Sequence, residues 1–593
     1  MPARRFLRHR AQGPPDPAAT GTLQGNDREA APRTLKVPTT ETTVIPSPAA
    51  CSPSRRGCMS QYDPDRRTFL KVGTGAAVGA ALAMRFPMDS AMAQAATTFD
   101  IDTRFADFMR DIGGAATDAG GKVQFTGSDP LLRSHFRIGA CMAIPAMAAG
   151  VGAAAIWRQR TGEGQDLSVD LRQAVWNTNP LIGMVHTKMQ AVGLIPASDP
   201  IPAALTAWKP SVNGLMLQAP IGLDNPLSFQ AFETRDGRFI NLTGIYPHLM
   251  DRILNVLKVT ADQTAIRAAV KKWDGQELED TLAASNGVAA LHRTRKEWLA
   301  HPQGKYLAGT PLIELVKVGD APPRKFAPQA ARPLSGMKVI SCTHVIAGTT
   351  AARTLAEYGA DVLHIARDQS FEHEALVVDV NVGMRSAWVD LRNKAQNANF
   401  AGLLPDADVF IEGFRGRSME RLGFGVEEVA AKRPGIVYLS VRGYGWEGPW
   451  GDRAAFDMEG VSTTGFTMTE GGGTGVPRFP PTLVMNDYIT GYIGAAGILA
   501  ALRRQAVEGG TWHVRVNLAR AAMWFQDLGH FADIRFDASR PENRMSPPET
   551  MKRQTPYGEV ERLVPQVRLS KTPGQWRDPL VTVRGSDLPR WEG

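Results

Sequence analysis

Cysteine is scarce in this chain, with four in 593 residues. Cys51 and Cys58 lie close together near the N-terminus, and Cys141 and Cys342 sit alone in apolar segments. They are too few and too dispersed for a disulfide framework or a metal site, and they read as small buried hydrophobes. Aromatic residues make up only 7%. Nowhere do they interleave with a basic stripe, so a nucleic-acid-binding surface is not expected. Charge of one sign is in little excess once it is located. Residues 1–58 hold nine Lys or Arg against four Asp or Glu, which accounts for most of the net +8. One apolar run, Ile138 to Trp157, is long enough to cross a bilayer, but its Ala and Gly content reads as a buried core helix. The remainder is ordinary globular composition, 43% hydrophobic and 21% charged, in a chain too long for one compact core.

The N-terminus carries a targeting pattern. Asp65-Arg66-Arg67-Thr68-Phe69-Leu70-Lys71 matches a twin-arginine export motif, and a short apolar run from Val72 to Met84 follows it. Ala91-Met92-Ala93 or Ala93-Gln94-Ala95 supplies a small-residue cleavage site. Met59 stands where an initiator belongs, and the Pro-, Arg- and Thr-rich residues 1–58 read as a disordered leader that is not necessarily translated. Residues 59–95 are thus expected to be a signal peptide that directs the protein to the periplasm through the twin-arginine machinery. A cytoplasmic protein with an incidental leader is the alternative.

From Leu334 to Trp524 the chain repeats one grammar. The blocks LSGMKVISCTHVIAGTTAARTLAEYGADVLHIARD, ADVFIEGFRGRSMERLGFG, GIVYLSVRGYGWEGPWGDRAAFDMEG and LVMNDYITGYIGAAGILAAL lead from an apolar strand-like run through a Gly-containing turn into a helical pattern. That is how a parallel α/β sheet is written. In content and order these blocks resemble the family III CoA-transferases, which include formyl-CoA transferase, the carnitine CoA-transferases and the α-methylacyl-CoA racemases. The resemblance implies an open parallel Rossmann-like sheet with a small α+β domain, CoA as the acyl carrier, no metal, acyl-CoA and carboxylic acid substrates, and a homodimer.

The segment from Gly150 to Trp176 aligns with that from Gly497 at an offset of 347, placing Asp170 opposite Asn517. Each copy reads as an Ala-rich buried helix, a Gly turn, a strand and a second helix. The fold is therefore expected to be partly duplicated. Residues 98–230 form a partial unit, 231–320 the small α+β domain, 321–333 a Pro-rich linker and 334–593 the CoA-binding and catalytic domain.

Acyl transfer from a thioester needs a nucleophile that can accept and release an acyl group, and a carboxylate does so through a mixed anhydride. The resemblance assigns this role to Asp487, in Asn486-Asp487-Tyr488-Ile489-Thr490-Gly491. By residue type alone, Asp487 also suits the cap of a helix beginning at Tyr488. The offset puts Ala140 opposite Asp487, which predicts a silent first unit. Asp457 matches an acidic position near the active site, where it would tune Asp487 or cap a helix. For CoA, the resemblance implies Val345, Arg367, Val389, Arg392, Gly413, Phe414 and Arg421, with the three arginines near phosphates. The family's Ala-Gly-Pro turn reads Ala347-Gly348-Thr349 here, and Ile346 replaces an assisting glutamine.

The leading reading is an enzyme that moves CoA from an acyl-CoA to a carboxylic acid. A racemase or isomerase competes with it, but Phe456 occupies the position of the proton-transferring His of that branch. An exported, non-catalytic acyl-CoA or carboxylate binder is the third possibility, because CoA is a cytoplasmic cofactor.

Overall fold

The computed structural model describes residues 99–181, 208–216, 225–328, 330–367, 371–532 and 540–592. The twin-arginine segment, residues 59–95, and Cys51 and Cys58 lie outside the described residues. In chain order the strands are β1 (Val123–Thr126), β2 (Leu167–Asp170), β3 (Ser211–Val212), β4 (Leu215–Met216), β5 (Ala231–Glu233), β6 (Phe239–Leu242), β7 (Ala289–Leu291) and β8 (Glu314–Gly319). There follow β9 (Lys338–Cys342), β10 (Asp361–Ala366), β11 (Arg385–Trp388), β12 (Val409–Glu412), β13 (Val437–Arg442), β14 (Thr511–Asn517), β15 (Thr550–Thr555), β16 (Gly558–Leu563) and β17 (Val567–Leu569).

The largest sheet has the order β11-β10-β9-β12-β13-β14-β8. Strands such as Val409–Glu412 and Val437–Arg442 are apolar or β-branched at most positions and buried on both faces, as interior parallel strands must be. The sheet is mixed, not wholly parallel. Six strands are parallel, and β8 closes the edge antiparallel to β14. The segment 314–319, grouped by sequence with the small domain, is thus a strand of the main sheet. The strand order reverses beside β9, because the chain passes outward to β10 and β11 and then returns to β12 on the other side. Such a reversal opens a crevice at the carboxyl ends of the strands, where ligands of α/β sheets bind.

The helix Met485–Glu508 is buried along nearly its whole length and packs against the helix Ala347–Glu357. Gly491 permits this approach, since a Cβ there would lie 2.5 Å from the Thr350 Cβ. The helix Ile138–Thr161, equally apolar and also buried, packs against Met485–Glu508, with Gly152 facing Leu499. Both helices have 24 residues and start at the offset of 347. Their surroundings also correspond. β2 has a parallel neighbour in β1 and an antiparallel one in β17, as β14 has in β13 and β8. The helices that follow are capped in the same way, Leu171–Asn177 by the Asp170 side chain and Leu518–Asp527 by that of Asn517.

The C-terminal strands do not stay with the domain to which sequence assigns them. β17 completes the sheet of β1 and β2, and β16 pairs with β3 of the first unit. Strands β5 to β7 form an antiparallel sheet of their own within residues 231–291.

Candidate active site

Five turns converge at the carboxyl edge of the main sheet. Val345 follows β9, Arg367 follows β10, Val389 and Arg392 follow β11, Gly413 and Phe414 follow β12, and Arg442 ends β13. They enclose a cavity of about 660 Å³ that Asp487 also lines. Six of the seven positions expected to hold CoA therefore face one space. Arg421 does not line it. Arg421 ends the short helix Ser418–Arg421 and donates to Ser418 Oγ at 2.9 Å, so it stands behind Ser418, which does face the cavity.

Sequence reasoning missed several further groups. Arg252, Arg415, Arg442, Arg453 and Arg584 also face the cavity, which gives it strong positive character. Arg415 follows Phe414 directly in the sequence but has no periodic signature of its own. Tyr246, Pro247 and His248 come from the small domain, on the turn into the helix Pro247–Leu257. The Tyr246 hydroxyl donates to Glu372 Oε1 at 3.0 Å, and His344 Nδ1 lies 3.0 Å from Glu372 Oε2. Burial opposes the charged form of Glu372, yet the hydrogen bonds and charge of His344 and the Tyr246 hydroxyl hold its carboxyl below the ordinary range. The Tyr246 ring stacks on Phe456 with centroids 5.8 Å apart. Phe456 therefore serves as an apolar wall and has no proton to exchange.

The helix at the centre of the site begins at Met485, two residues before Asp487, so Asp487 stands in the first turn and is not the cap. The capping group is Asp457, whose Oδ2 accepts the Asp487 backbone N–H at 2.8 Å. Its Oδ1 is buried and, among the described residues, meets no partner. The twin helix repeats the device, with Asp129 accepting from the N–H groups of Gly139 and Ala140, both at 2.9 Å. Ala140 is third in its helix as Asp487 is in its own.

Asp487 is only 8% exposed and Asp457 2%. Burial, with Glu459 adding like charge, pushes the Asp487 carboxyl up to about 7. Burial and the charge of Asp487 raise the Asp457 carboxyl as well. Two such neighbours hold a proton between them near neutral pH. Oδ2 of Asp457 is committed as an acceptor, so Oδ1 is the oxygen placed to carry that proton. Among the described residues, no group of three or more His, Cys, Asp or Glu side chains is placed to hold a metal ion.

Arg392 is held by Asp390, Nε to Oδ1 at 2.9 Å and Nη2 to Oδ2 at 2.8 Å. A phosphate must share or displace that carboxylate, so Arg392→Ala should weaken CoA binding by about 1.5 kcal/mol, the low end for a charge-assisted contact. Calorimetric titration with CoA checks this.

Residues 334–558 match the sequence model of CoA-transferase family III. The chain carries a family III CoA-transferase domain. Curated relatives include the acetyl-coenzyme A transferase nodX of Hypoxylon pulicicidum, 28% identical over 331 residues, covering 52% of this chain and 56% of that protein. The succinyl-CoA–L-malate CoA-transferase alpha subunit of Chloroflexus aurantiacus is 29% identical over 279 residues, covering 44% and 59%. The acetyl-CoA:oxalate CoA-transferase of Acetobacter aceti is 31% identical over 208 residues, covering 32% and 52%. The chain spans about half the length of the curated relatives it matches.

Proposed function

We propose that this family III domain makes the chain a CoA-transferase, moving CoA from an acyl-CoA donor to a carboxylic acid, with Asp487 as the covalent nucleophile. One observation carries the reading. Asp487 lines two cavities, the large arginine-lined one and a smaller, mainly apolar one also lined by Val345, Ile346, Phe456 and Asp457. CoA phosphates suit the first space and an acyl group the second, so a thioester carbon would sit at their junction, against the carboxylate.

The chemistry is self-contained. The Asp487 carboxylate adds to the thioester carbonyl, the C–S bond breaks, and CoA leaves as the thiolate while a mixed anhydride forms. The thiolate then attacks the aspartyl carbonyl, which releases the donor acid and leaves an aspartyl-CoA thioester. The acceptor carboxylate displaces the thiolate to form a second anhydride, whose acyl carbon the thiolate attacks, restoring Asp487. Asp457 supports these steps as a neutral acid. Its retained proton lets Asp487 ionise beside it, and its O–H can donate to the oxygen that gains charge in the tetrahedral intermediate. The amide of Asp487 stays fixed by the other oxygen of Asp457.

Incubation with acetyl-CoA followed by peptide mass mapping tests the reading. A covalent adduct should appear on Asp487, and an unmodified Asp487 peptide together with no measurable CoA exchange overturns it. The first unit, with Ala140 in the equivalent place, would be a silent copy in a partly duplicated chain, and the active species a homodimer.

We also propose export. Residues 59–95 should carry a prefolded reporter across the inner membrane of a twin-arginine-competent host, and replacement of Arg66 and Arg67 by Lys should stop it. A reporter retained in the cytoplasm with the unmodified segment points instead to a cytoplasmic enzyme.

A further inference from the structure

The smaller cavity beside Asp487 is more than a gap in packing. Its volume is about 80 Å³, room for roughly six atoms the size of a water molecule. Leu181, Leu227, Phe229, Ile245, Leu376 and Met458 form much of its wall, which is mainly apolar among the described residues. No Lys or Arg lines it among the described residues. Three of its wall residues, Phe229 (φ 53°), Val345 (φ 31°) and Leu483 (φ 58°), hold the left-handed backbone conformation that bulky side chains rarely adopt. The other non-glycine residues with positive φ among the described ones are Asn213, Lys258 and Asn286, of types that tolerate it better or are exposed. Strain of this kind gathers where a fold must hold a shape for a ligand.

Two carboxyl groups on this wall oppose a second negative charge, and its other polar residues among the described ones, Asn179, Ser228, Thr243 and His373, include no Lys or Arg to offset them. Asp457 and Asp487 line the cavity, and Glu459 is buried close by, bonded to Asn241 and Thr243. His373 is 6% exposed, its ring bonds the backbone of Ile245, and its Nε2 meets no partner among the described residues. Burial lowers its pKa, against the charge of Glu372 and the bond to Ile245, and so disfavours the charged ring. A second carboxylate placed here would be desolvated beside groups of its own sign, with no cationic side chain among the described lining residues to pair with it.

Resting on the anhydride reading above, we propose that the acyl group this site accepts is a short, uncharged, apolar one of about four to six non-hydrogen atoms, and that dicarboxylic acyl groups are rejected. Butyryl-CoA, succinyl-CoA and palmitoyl-CoA separate the alternatives, because the first two differ by a terminal carboxylate and the third by length. The full chain is mixed with each, and the rate of Asp487 acylation is followed by mass spectrometry. Butyryl-CoA should react at least about 100-fold faster than succinyl-CoA and clearly faster than palmitoyl-CoA. A guanidinium introduced by Leu376→Arg, or an ammonium by Ile245→Lys, should narrow the butyryl-to-succinyl ratio by about tenfold or more. Either variant is read only if it unfolds cooperatively, and the panel on the unmodified protein stands without them. Equal rates for butyryl-CoA and succinyl-CoA overturn the charge selectivity while leaving the anhydride reading intact. Equal rates for palmitoyl-CoA overturn the size limit. If none of the three modifies Asp487, the anhydride reading fails and this inference with it.

Discussion

Asp487→Ala should leave a folded protein whose CoA exchange is lower by about four orders of magnitude or more, the scale of loss when a covalent nucleophile is removed. The molecule already contains the folded-state control. In the twin helix Ile138–Thr161 the third residue is Ala140, beneath an Asp129 cap that mirrors Asp457. An alanine in that setting is compatible with a buried, intact helix. Thermal unfolding within a few degrees of the parent, together with exchange retained within about tenfold, would exclude Asp487 as nucleophile. The same residue sets the pH response. The reactive form is the carboxylate, and burial raises the Asp487 carboxyl, one of a proton-sharing pair with Asp457, to about 7. The rate at low substrate should therefore fall about tenfold per unit as pH drops below about 7 and level off above it. A rate flat between pH 5 and 8 contradicts this.

The largest loss of stability is expected at Asp379. This buried carboxylate accepts from Arg353 Nη1 at 3.1 Å, from Arg562 Nη2 at 3.1 Å and from the Tyr488 hydroxyl at 2.9 Å. Both guanidiniums are themselves buried. Asp379→Ala strands two cations without their anion and should cost about 3–5 kcal/mol, measured as a shift in the denaturant midpoint. Replacing all three charged residues by apolar ones of similar volume should cost less than the single change, because neither guanidinium is left without its anion and Arg332 still faces the neighbouring Glu357. If the single variant is as stable as the triple, the network is not what holds this region. Activity should fall as well, since Tyr488 adjoins Asp487 and ties the start of its helix to Asp379.

These sites differ in how far they can be read from sequence. The turns after β9 to β12 are local events, each an apolar run that ends in a Gly-containing or polar turn, so Val345, Arg367, Val389, Arg392, Gly413 and Phe414 could be placed in order. The two long helices were legible for a similar reason, because an Ala- and Gly-rich run of that length has few other uses. What escaped depends on distant pairing. The strand Glu314–Gly319 follows the small domain in sequence and joins the main sheet only through β14. Tyr246 and Glu372 meet across 126 positions. The resemblance places Asp457 near Asp487 as a tuner or a cap, but does not show that the helix it caps is the one carrying Asp487, which starts nearly thirty residues later. Local periodicity carries no trace of such contacts. Arg421 is the opposite case, on a helix that faces the site yet not among the residues lining the cavity, because side-chain aim within one turn is not written in spacing.

The pairing of β17 with β2 has a consequence in time. Gln165, just before β2, bonds Thr572, just after β17, across 407 positions. At roughly 5–20 residues per second, a ribosome needs on the order of 20 to 80 seconds to make the intervening chain. Throughout that interval the outer edge of β2 is an unpaired strand, open to other chains. Synthesis of Val567–Leu569, and not the early appearance of the helix Ile138–Thr161, then sets when the first unit is complete. Strand-edge aggregation should be the dominant fate of any nascent chain that stalls before Val567.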